Sequence, residues 1–330
     1  MGFRSDLASL IRQELDNAGI EYEDDLDLRL LTARYFELLT KRIVPTPRQV
    51  HFSNELNYSL DKLLREPSAE PRRNARDAWR AVFLIRQLLA EGRNVTGFLS
   101  KQIDEPMFTD GLLWDFGIHH FHLNTTFEAT GFVKRSDYLL FAIVTDTDAY
   151  FLDIRPHHDP DGLQWVQQDL IDIAYSNWPK LIEKQVLHGI LPGPNLTDEQ
   201  VKELRRKNVN HAVNVGDKAV ALMGGGMMTD GSSTLCRLRG MQLLDEIDRH
   251  QTFFDMPPAE LLAELTGRGI DVTGGVEFRL LPLESLDPAT ELLDALNDEN
   301  CMSQKLGTMG LAVVEATTNT PIVVSLKEPA

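Results

Sequence analysis

Apolar residues recur at intervals of three and four positions through the first ninety residues, as in Leu7, Leu10, Ile11 and Leu15. This spacing places them on one side of a helix, which then packs against the rest of the protein. The pattern predicts a helical N-terminal unit over residues 1–95, suited to packing or to contact in a homo-oligomer. Its four predicted helices cover residues 3–20, 21–43, 46–65 and 74–91.

The third of these helices is predicted from a local signal at Thr46-Pro47. Threonine is a good N-cap residue, and proline is favoured at the first position of a helix. The two residues therefore predict a helix that starts at this point and continues to about Arg65.

From Val95 onward the chain has short apolar runs in which apolar and polar positions alternate, a pattern typical of strands. The runs Ile118–Asn124, Tyr138–Val144 and Ala149–Ile154 predict three antiparallel strands, the last two joined by a tight turn. A helix from Leu163 to about Val186, interrupted at Pro179, follows the strands. We therefore predict a domain over residues 96–190 that is built on a central antiparallel sheet flanked by helices.

The remainder of the chain predicts a smaller α/β part. Residues 191–254 contain a helix capped by Thr197, a hairpin turn at Gly216-Asp217, a glycine-rich loop and a second helix. Residues 255–330 combine a helix with three short strands. The complete pattern is that of an α+β protein.

Charge is distributed unevenly along the chain, which has a net charge of −17. Residues 1–100 have as many basic as acidic side chains, whereas residues 241–330 have 5 basic and 16 acidic ones. Such a segment is usually a solvated surface, but it also suits an inhibitor or another basic protein as partner. An acidic protein is an unfavourable partner for nucleic acid unless its basic residues form a local patch.

Two further features concern the cell compartment. The apolar runs are shorter than the ~20 residues of a membrane helix, so no membrane contact is expected. The two cysteines, Cys236 and Cys301, are far apart in sequence, as is common in a reducing compartment. A cytoplasmic location is the expectation.

Histidines are concentrated at one point, because residues 119, 120 and 122 hold three of the nine in the chain. Side chains alternate between the two faces of a strand, so His120 and His122 share one face and His119 lies on the other. We interpret His119 as a packing residue. His157, which follows the third predicted strand, can reach the same face as His120 and His122.

Two kinds of chemistry fit these histidines. As metal ligands, His120, His122 and His157 form the three-histidine set of hydrolases and oxygenases that use one transition-metal ion. Without any cofactor, imidazoles can act as the acid and the base of RNA cleavage, and a cation can hold the phosphate. In that interpretation His120, His122 and His157 are catalytic, while Arg135 and Lys134 contact phosphate.

A helix followed by a strand meander with scattered His and Arg residues resembles the bacterial endoribonuclease toxins of the RelE, barnase and EndoU type. The resemblance is architectural and covers residues 96–190. It implies metal-independent cleavage of RNA, a host or phage RNA as target in antiviral defence, and control by an inhibitor. A nuclease-like effector is therefore the favoured function.

The glycine-rich loop Gly224–Ser233 leads into a helix, and it provides a second set of candidate phosphate ligands: Gly225, Gly226 and Ser232. Backbone N–H groups at such a loop can bind anions. The alternative is a turn without ligand, capped by its serines. A third class of function, a non-catalytic binding protein that uses its acidic C-terminal part, also fits the sequence.

Overall fold

A computed structural model of the chain describes residues 2–65, 71–105, 108–158, 168–282, 285, 311–319 and 321–323. Its helices are α1 (Phe3–Asn17), α2 (Leu28–Lys41), α3 (Asn54–Arg65), α4 (Pro71–Ala90), α5 (Gly111–Phe116), α6 (Asp169–Asn177), α7 (Pro179–Glu183), α8 (Asp198–Arg206), α9 (Thr234–Asp255) and α10 (Ala259–Gly267). Its strands are β1 (Gln49–Phe52), β2 (Ile118–His122), β3 (Tyr138–Val144), β4 (Asp148–Pro156), β5 (Val213–Val215), β6 (Lys218–Val220), β7 (Phe278–Pro282), β8 (Leu311–Glu315) and β9 (Pro321–Val323). The fold is α+β, as the sequence predicts.

The main sheet has the strand order β1-β4-β3-β2. The predicted antiparallel strands β2, β3 and β4 are confirmed, with His120 opposite Phe141 and His122 opposite Leu139. The sheet as a whole is mixed and not purely antiparallel, because β1 pairs with β4 in parallel.

The predicted start of the third helix at Thr46-Pro47 is wrong. Residues 49–52 form β1, and helix α3 begins after Ser53, whose hydroxyl accepts a hydrogen bond from the backbone N–H of Leu56 at 2.8 Å. The Arg48 side chain donates to the backbone carbonyls of Val44, Thr46 and Thr145. These bonds hold the extended segment beside the β3–β4 turn. Residues 49–52 then pair with β4, and this pairing outweighs the local preference for a helix.

The two faces of the main sheet pack against different elements. Phe121 and Leu123 belong to a core that includes residues of α3 and α4. Ile118 belongs to the opposite core, with residues of α6 and the β5–β6 hairpin. This distribution confirms the predicted alternation along β2, and it places His120 and His122 on the Ile118 face.

The predictions for residues 168–220 are confirmed where the structure describes them. Helices α6 and α7 are separate and meet at Pro179, while the predicted start at Leu163 lies outside the described residues. Thr197 caps α8 through a capping box with Gln200. Strands β5 and β6 form the hairpin around Gly216-Asp217.

The chain folds as two compact units, residues 37–236 and residues 1–36 with 237–330. In the second unit, the Phe254 ring contacts the rings of Phe3 and Phe278, and Asp6 accepts a hydrogen bond from the backbone N–H of Leu280. This division differs from the four consecutive segments predicted from the sequence. Much of the acidic C-terminal part, including residues 286–310 and Cys301, lies outside the described residues, as does most of the predicted last strand.

None of the described helices is both long enough and apolar enough to span a membrane.

Candidate active site

The segment from Asp110 to His122 is a short helix followed directly by a strand. Asp110 caps α5, and its carboxylate accepts a hydrogen bond from the backbone N–H of Leu113 at 3.0 Å. Gly117 ends the helix with φ of 68°, a left-handed conformation that glycine adopts without strain. The chain thereby turns into β2, which forms one edge of the main sheet.

The predicted histidines come together on one side of this strand. The ring centroids of His120 and His122 are 6.0 Å apart, and those of His122 and His157 are 5.2 Å apart. His120 is buried, while His122 and His157 are half-buried. The sequence therefore identified a true cluster, which β2 and the end of β4 build together.

These three imidazoles and Arg135 line one cavity of about 1500 Å³ within the unit formed by residues 37–236. A short 3₁₀ turn, Lys101–Asp104, contributes to its wall, as does α8. The remaining lining residues are Leu99, Ser100, Lys101, Gln102, Phe108, Thr109, Asp110, Gly111, Val133, Glu199, Lys202, Glu203, Arg205, Arg206, Asn208 and Met227.

The cavity has a net positive lining although the protein is strongly acidic. Its cationic side chains outnumber its carboxylates by five to three. The cations are Lys101, Arg135, Lys202, Arg205 and Arg206, and the carboxylates are Asp110, Glu199 and Glu203. Two of these cations pair with carboxylates just outside the lining, Glu128 and Asp115, so the excess of cations in the lining does not by itself give the site a positive charge.

The cations of the cavity differ in how they are held. Lys101 pairs with Glu128, and Arg206 pairs with Glu203. Arg205 pairs with Asp115, a carboxylate that is 2% exposed. Arg135 is exposed and makes no ion pair or hydrogen bond with a described residue, so its guanidinium is available to a ligand.

Burial keeps the histidines of the cavity neutral. It lowers the pKa of His122 to about 3, and the nearby rings of His120 and His157 and the cations Arg135 and Lys101 act in the same direction. Burial also lowers the pKa of His157, with a further contribution from Arg135. The three rings can therefore accept protons or coordinate a metal near neutral pH.

Carboxylates act on two of the three histidines: Asp137 acts on His157, and Asp110 acts on His120. Burial lowers the pKa of His120, but Asp110 acts in the opposite direction. The Nδ1 atom of His120 lies 3.5 Å from an oxygen of Asp110. Sequence reasoning assigned no role to Asp110, although its position before an apolar segment is that of an N-cap.

His119 lies on the opposite face of β2 and outside the cavity lining, as the alternation predicts. It is 7% exposed, and burial lowers its pKa to about 4. Its interpretation as a packing residue is consistent with this position.

The predicted phosphate ligands outside the histidine cluster do not line the cavity. Lys134 is exposed but does not line the cavity. The backbone N–H groups of Gly225 and Gly226 donate to the carbonyls of Leu222 and Trp114, and the Ser232 hydroxyl donates to Asp230. The amides of Gly225 and Gly226 therefore already have protein acceptors, and binding of an anion to this loop stays a prediction.

Within the described part of the chain, no three His, Cys, Asp or Glu side chains are arranged to hold a metal ion. Comparison with known proteins adds no further constraint: no family model, curated protein or solved structure matches the chain. The resemblance to endoribonuclease toxins stays a prediction, and function has to be argued from the cavity itself.

Proposed function

We propose that the cavity is the active site of a metal-independent endoribonuclease. The observation that carries the proposal is the position of Arg135 beside His122 and His157 in a cavity with a net positive lining. Cleavage of RNA requires a base for the 2′-hydroxyl proton, an acid for the leaving oxygen and a cation at the phosphate. The cavity contains a side chain for each of these tasks.

The environments of the histidines suggest their roles. His122 is the base: burial and its cationic neighbours keep it unprotonated in the free protein, and a bound phosphate has to raise its pKa for it to become an effective base. Burial lowers the pKa of His120, but Asp110 opposes this effect, which makes His120 the better candidate for the acid. Arg135 holds the phosphate, and His157 lies against His122.

The reaction is a transesterification within the RNA. The 2′-oxygen attacks phosphorus while its proton passes to His122. The bond between phosphorus and the 5′-oxygen breaks, and His120 gives a proton to that oxygen. The products are a 2′,3′-cyclic phosphate and a 5′-hydroxyl. A bound phosphate supports this cycle, because its negative charge raises the pKa of the nearby imidazoles toward neutrality.

The size of the cavity fits a polymeric substrate. Its volume of about 1500 Å³ exceeds the ~300–1,000 Å³ of pockets for small molecules. The cationic side chains of the lining come from several structural elements. The cavity can therefore contact more than one phosphate of an RNA strand. An oligonucleotide is a better match than a mononucleotide.

The proposal is tested with an end-labelled RNA oligonucleotide in the presence of excess EDTA. We expect cleavage that leaves 2′,3′-cyclic phosphate ends. His122→Ala should lower the rate by about 10²-fold or more. The matched control is His188→Ala, since His188 is exposed and outside the cavity. Intact RNA with the unaltered protein contradicts the proposal.

A second pair of variants tests the role of charge at the phosphate. Arg135→Ala removes a cation that lines the cavity, whereas Lys134→Ala removes its exposed neighbour outside the lining. We expect a large loss of activity in the first variant and a small one in the second. Equal losses would mean that phosphate binding depends on general surface charge.

A metal-dependent hydrolase or oxygenase is the second candidate, favoured by the contact of three neutral imidazoles in one cavity. In this case His120, His122 and His157 hold one transition-metal ion after a small rearrangement. Elemental analysis of the purified protein then gives about one ion per chain, which is lost in His120→Ala. RNA cleavage that persists in EDTA excludes this candidate as the source of that activity.

A further inference from the structure

Phe108 is, among the described residues that line the cavity, the one aromatic side chain apart from the histidines. Its ring is half-buried, so part of it is open to a ligand. The other large apolar residues of the lining are Leu99, Val133 and Met227, which are only 4–5% exposed. Phe108 is therefore the main apolar surface that the cavity offers to a ligand.

A buried cation holds the Phe108 ring from one side. The Nζ atom of Lys41 lies over this ring, 5.8 Å from its centre, and over the ring of Trp114 at 5.9 Å. Lys41 and Trp114 are 4% and 2% exposed, so solvent screens these contacts weakly. An ammonium group at this distance is attracted to the face of an aromatic ring. Lys41 thus occupies one side of Phe108, and the exposed part of the ring is left for a ligand.

The position of Phe108 in the chain places it beside the histidine cluster. Phe108 precedes Asp110 by two residues, so their Cα atoms are at most about 7.6 Å apart. A carboxylate oxygen of Asp110 in turn lies 3.5 Å from Nδ1 of His120. Phe108 and the imidazoles therefore lie in the same part of the cavity, where neighbouring groups of one ligand can contact both.

The ligand that fits this combination has a flat ring and an anion close to each other. A nucleotide has both, because its base is joined through the sugar to phosphate. Proteins that bind single-stranded RNA commonly stack unpaired bases on aromatic side chains. Arg135, which lines the same cavity near His122 and His157, is the cation for the phosphate in the proposed function.

We propose that Phe108 forms a nucleobase-binding subsite, in which an unpaired base next to the cleaved phosphate stacks on its ring. The inference rests on the proposed endoribonuclease function, because the RNA strand supplies this base. It adds that the substrate is single-stranded around the cleavage position, since a base within a duplex is already stacked on its neighbours. Binding at the subsite can be measured without cleavage.

Binding is measured by fluorescence anisotropy with a labelled oligonucleotide of 2′-O-methyl RNA, which lacks the attacking hydroxyl and is not cleaved. Phe108→Leu retains an apolar side chain and removes the flat ring, so we expect Kd to rise about 5- to 140-fold. Phe108→Tyr retains a ring and should bind nearly as tightly as the unaltered protein. Phe127→Leu is the matched control, because Phe127 is 47% exposed and lies outside the lining.

A scan with abasic nucleotides separates stacking from a general effect of the substitution on the cavity. One nucleotide at a time is replaced by an abasic sugar, which keeps the phosphate and removes the base. One abasic position should weaken binding to the unaltered protein and to Phe127→Leu. The same position should have little effect in Phe108→Leu, where the stacking partner is already missing.

Thermal unfolding shows whether each variant is folded, and Phe108→Met, which also lacks a ring, replaces Phe108→Leu if that variant is not. Additive losses from the abasic position and the Phe108 variant overturn the inference. A folded Phe108→Leu variant that binds as tightly as Phe127→Leu also overturns it, as does an unaltered protein that does not bind the oligonucleotide.

The subsite and the proposed function can fail separately. If the unaltered protein binds the oligonucleotide but leaves RNA intact, the proposed function fails, and the abasic scan still decides whether a base stacks on Phe108. If the protein cleaves RNA while the two losses are additive, the function stands and the subsite fails.

Discussion

The ion pair between Arg205 and Asp115 connects α8 to α5 at the wall of the cavity, and its removal should strongly destabilise the unit of residues 37–236. The guanidinium of Arg205 also lies 5.5 Å from the centre of the Phe116 ring. Replacement of Arg205 by Met retains much of the apolar stem and removes the charge. Asp115 then stays in place without the cation that pairs with it.

The burial of the pair determines the size of the effect. The side chains of Arg205 and Asp115 are 10% and 2% exposed. Loss of one partner from a buried pair costs about 3–5 kcal/mol, because the remaining charge is desolvated and uncompensated. The adjacent Arg206 pairs with Glu203 at 72% and 48% exposure. Exposed pairs contribute about 0–1 kcal/mol, so Arg206→Met is a matched control with a small expected effect.

Tryptophan fluorescence during urea unfolding is a suitable assay. The four tryptophans of the chain, at positions 79, 114, 165 and 178, all fall within the sequence range 37–236. Their signal therefore follows that unit alone. We expect Arg205→Met to lower the urea midpoint without changing the slope of the transition, since the surface exposed on unfolding stays the same.

The pH dependence gives a second, independent check. Burial raises the pKa of Asp115, and Arg205 opposes that effect. A carboxyl group whose pKa is higher in the folded than in the unfolded state costs stability when it is ionised, and protonation removes this cost. Without Arg205 the pKa of Asp115 rises further, so the destabilisation by Arg205→Met should shrink as the pH falls.

Either of two results would refute this reasoning. The first is an Arg205→Met variant within about 1 kcal/mol of Arg206→Met, which would mean that the pair is as well solvated as a surface pair. The second is a loss of stability that stays constant from neutral to acidic pH, because this would show that Asp115 is not the source of the cost.

Two further predictions concern the loop and the base. Gly224→Ala should lower the free energy of unfolding by about 1–3 kcal/mol or more in the same urea assay, because the new methyl group meets the backbone carbonyls of Leu113 and Trp114. The control is Gly193→Ala, where the methyl group has open space, and equal stability of the two variants would contradict this prediction. The ring of His122, with a pKa of about 3, should stay neutral in an NMR titration from neutral pH down to about pH 4. Added inorganic phosphate should raise this pKa. A titration midpoint near 6.5 without phosphate would contradict the buried environment described for the ring.

The sheet that carries the site could be predicted because it is buried on both faces. Each of the strands β2, β3 and β4 contributes apolar side chains to both cores, in alternation between the two faces of the sheet, so each strand is visible in the sequence as a short apolar run. The same alternation identified His120 and His122 as neighbours. Parallel pairing of β1 with β4 could not be inferred in this way, since it joins residues about a hundred positions apart and overrides the helix signal at Thr46-Pro47.

The partners of the histidines depend on geometry that short-range patterns do not contain. Asp110 reaches His120 only because α5 and the left-handed Gly117 reverse the chain between them. Arg205 reaches Asp115 across 90 positions of sequence. In the glycine-rich loop, composition suggested exposed amides, whereas the amides of Gly225 and Gly226 donate to the carbonyls of Leu222 and Trp114.

The acidic composition of the chain and its proposed RNA substrate are compatible once charge is considered by location. A net charge of −17 disfavours non-specific adsorption of nucleic acid over the whole surface. In the cavity, however, Arg135 stands beside histidines that burial has made neutral, and no carboxylate of the lining forms an ion pair with it among the described residues. A phosphate that enters this cavity gains a cation and raises the pKa of the imidazoles around it. In the proposed function, binding of the anion and protonation of the acid are therefore coupled.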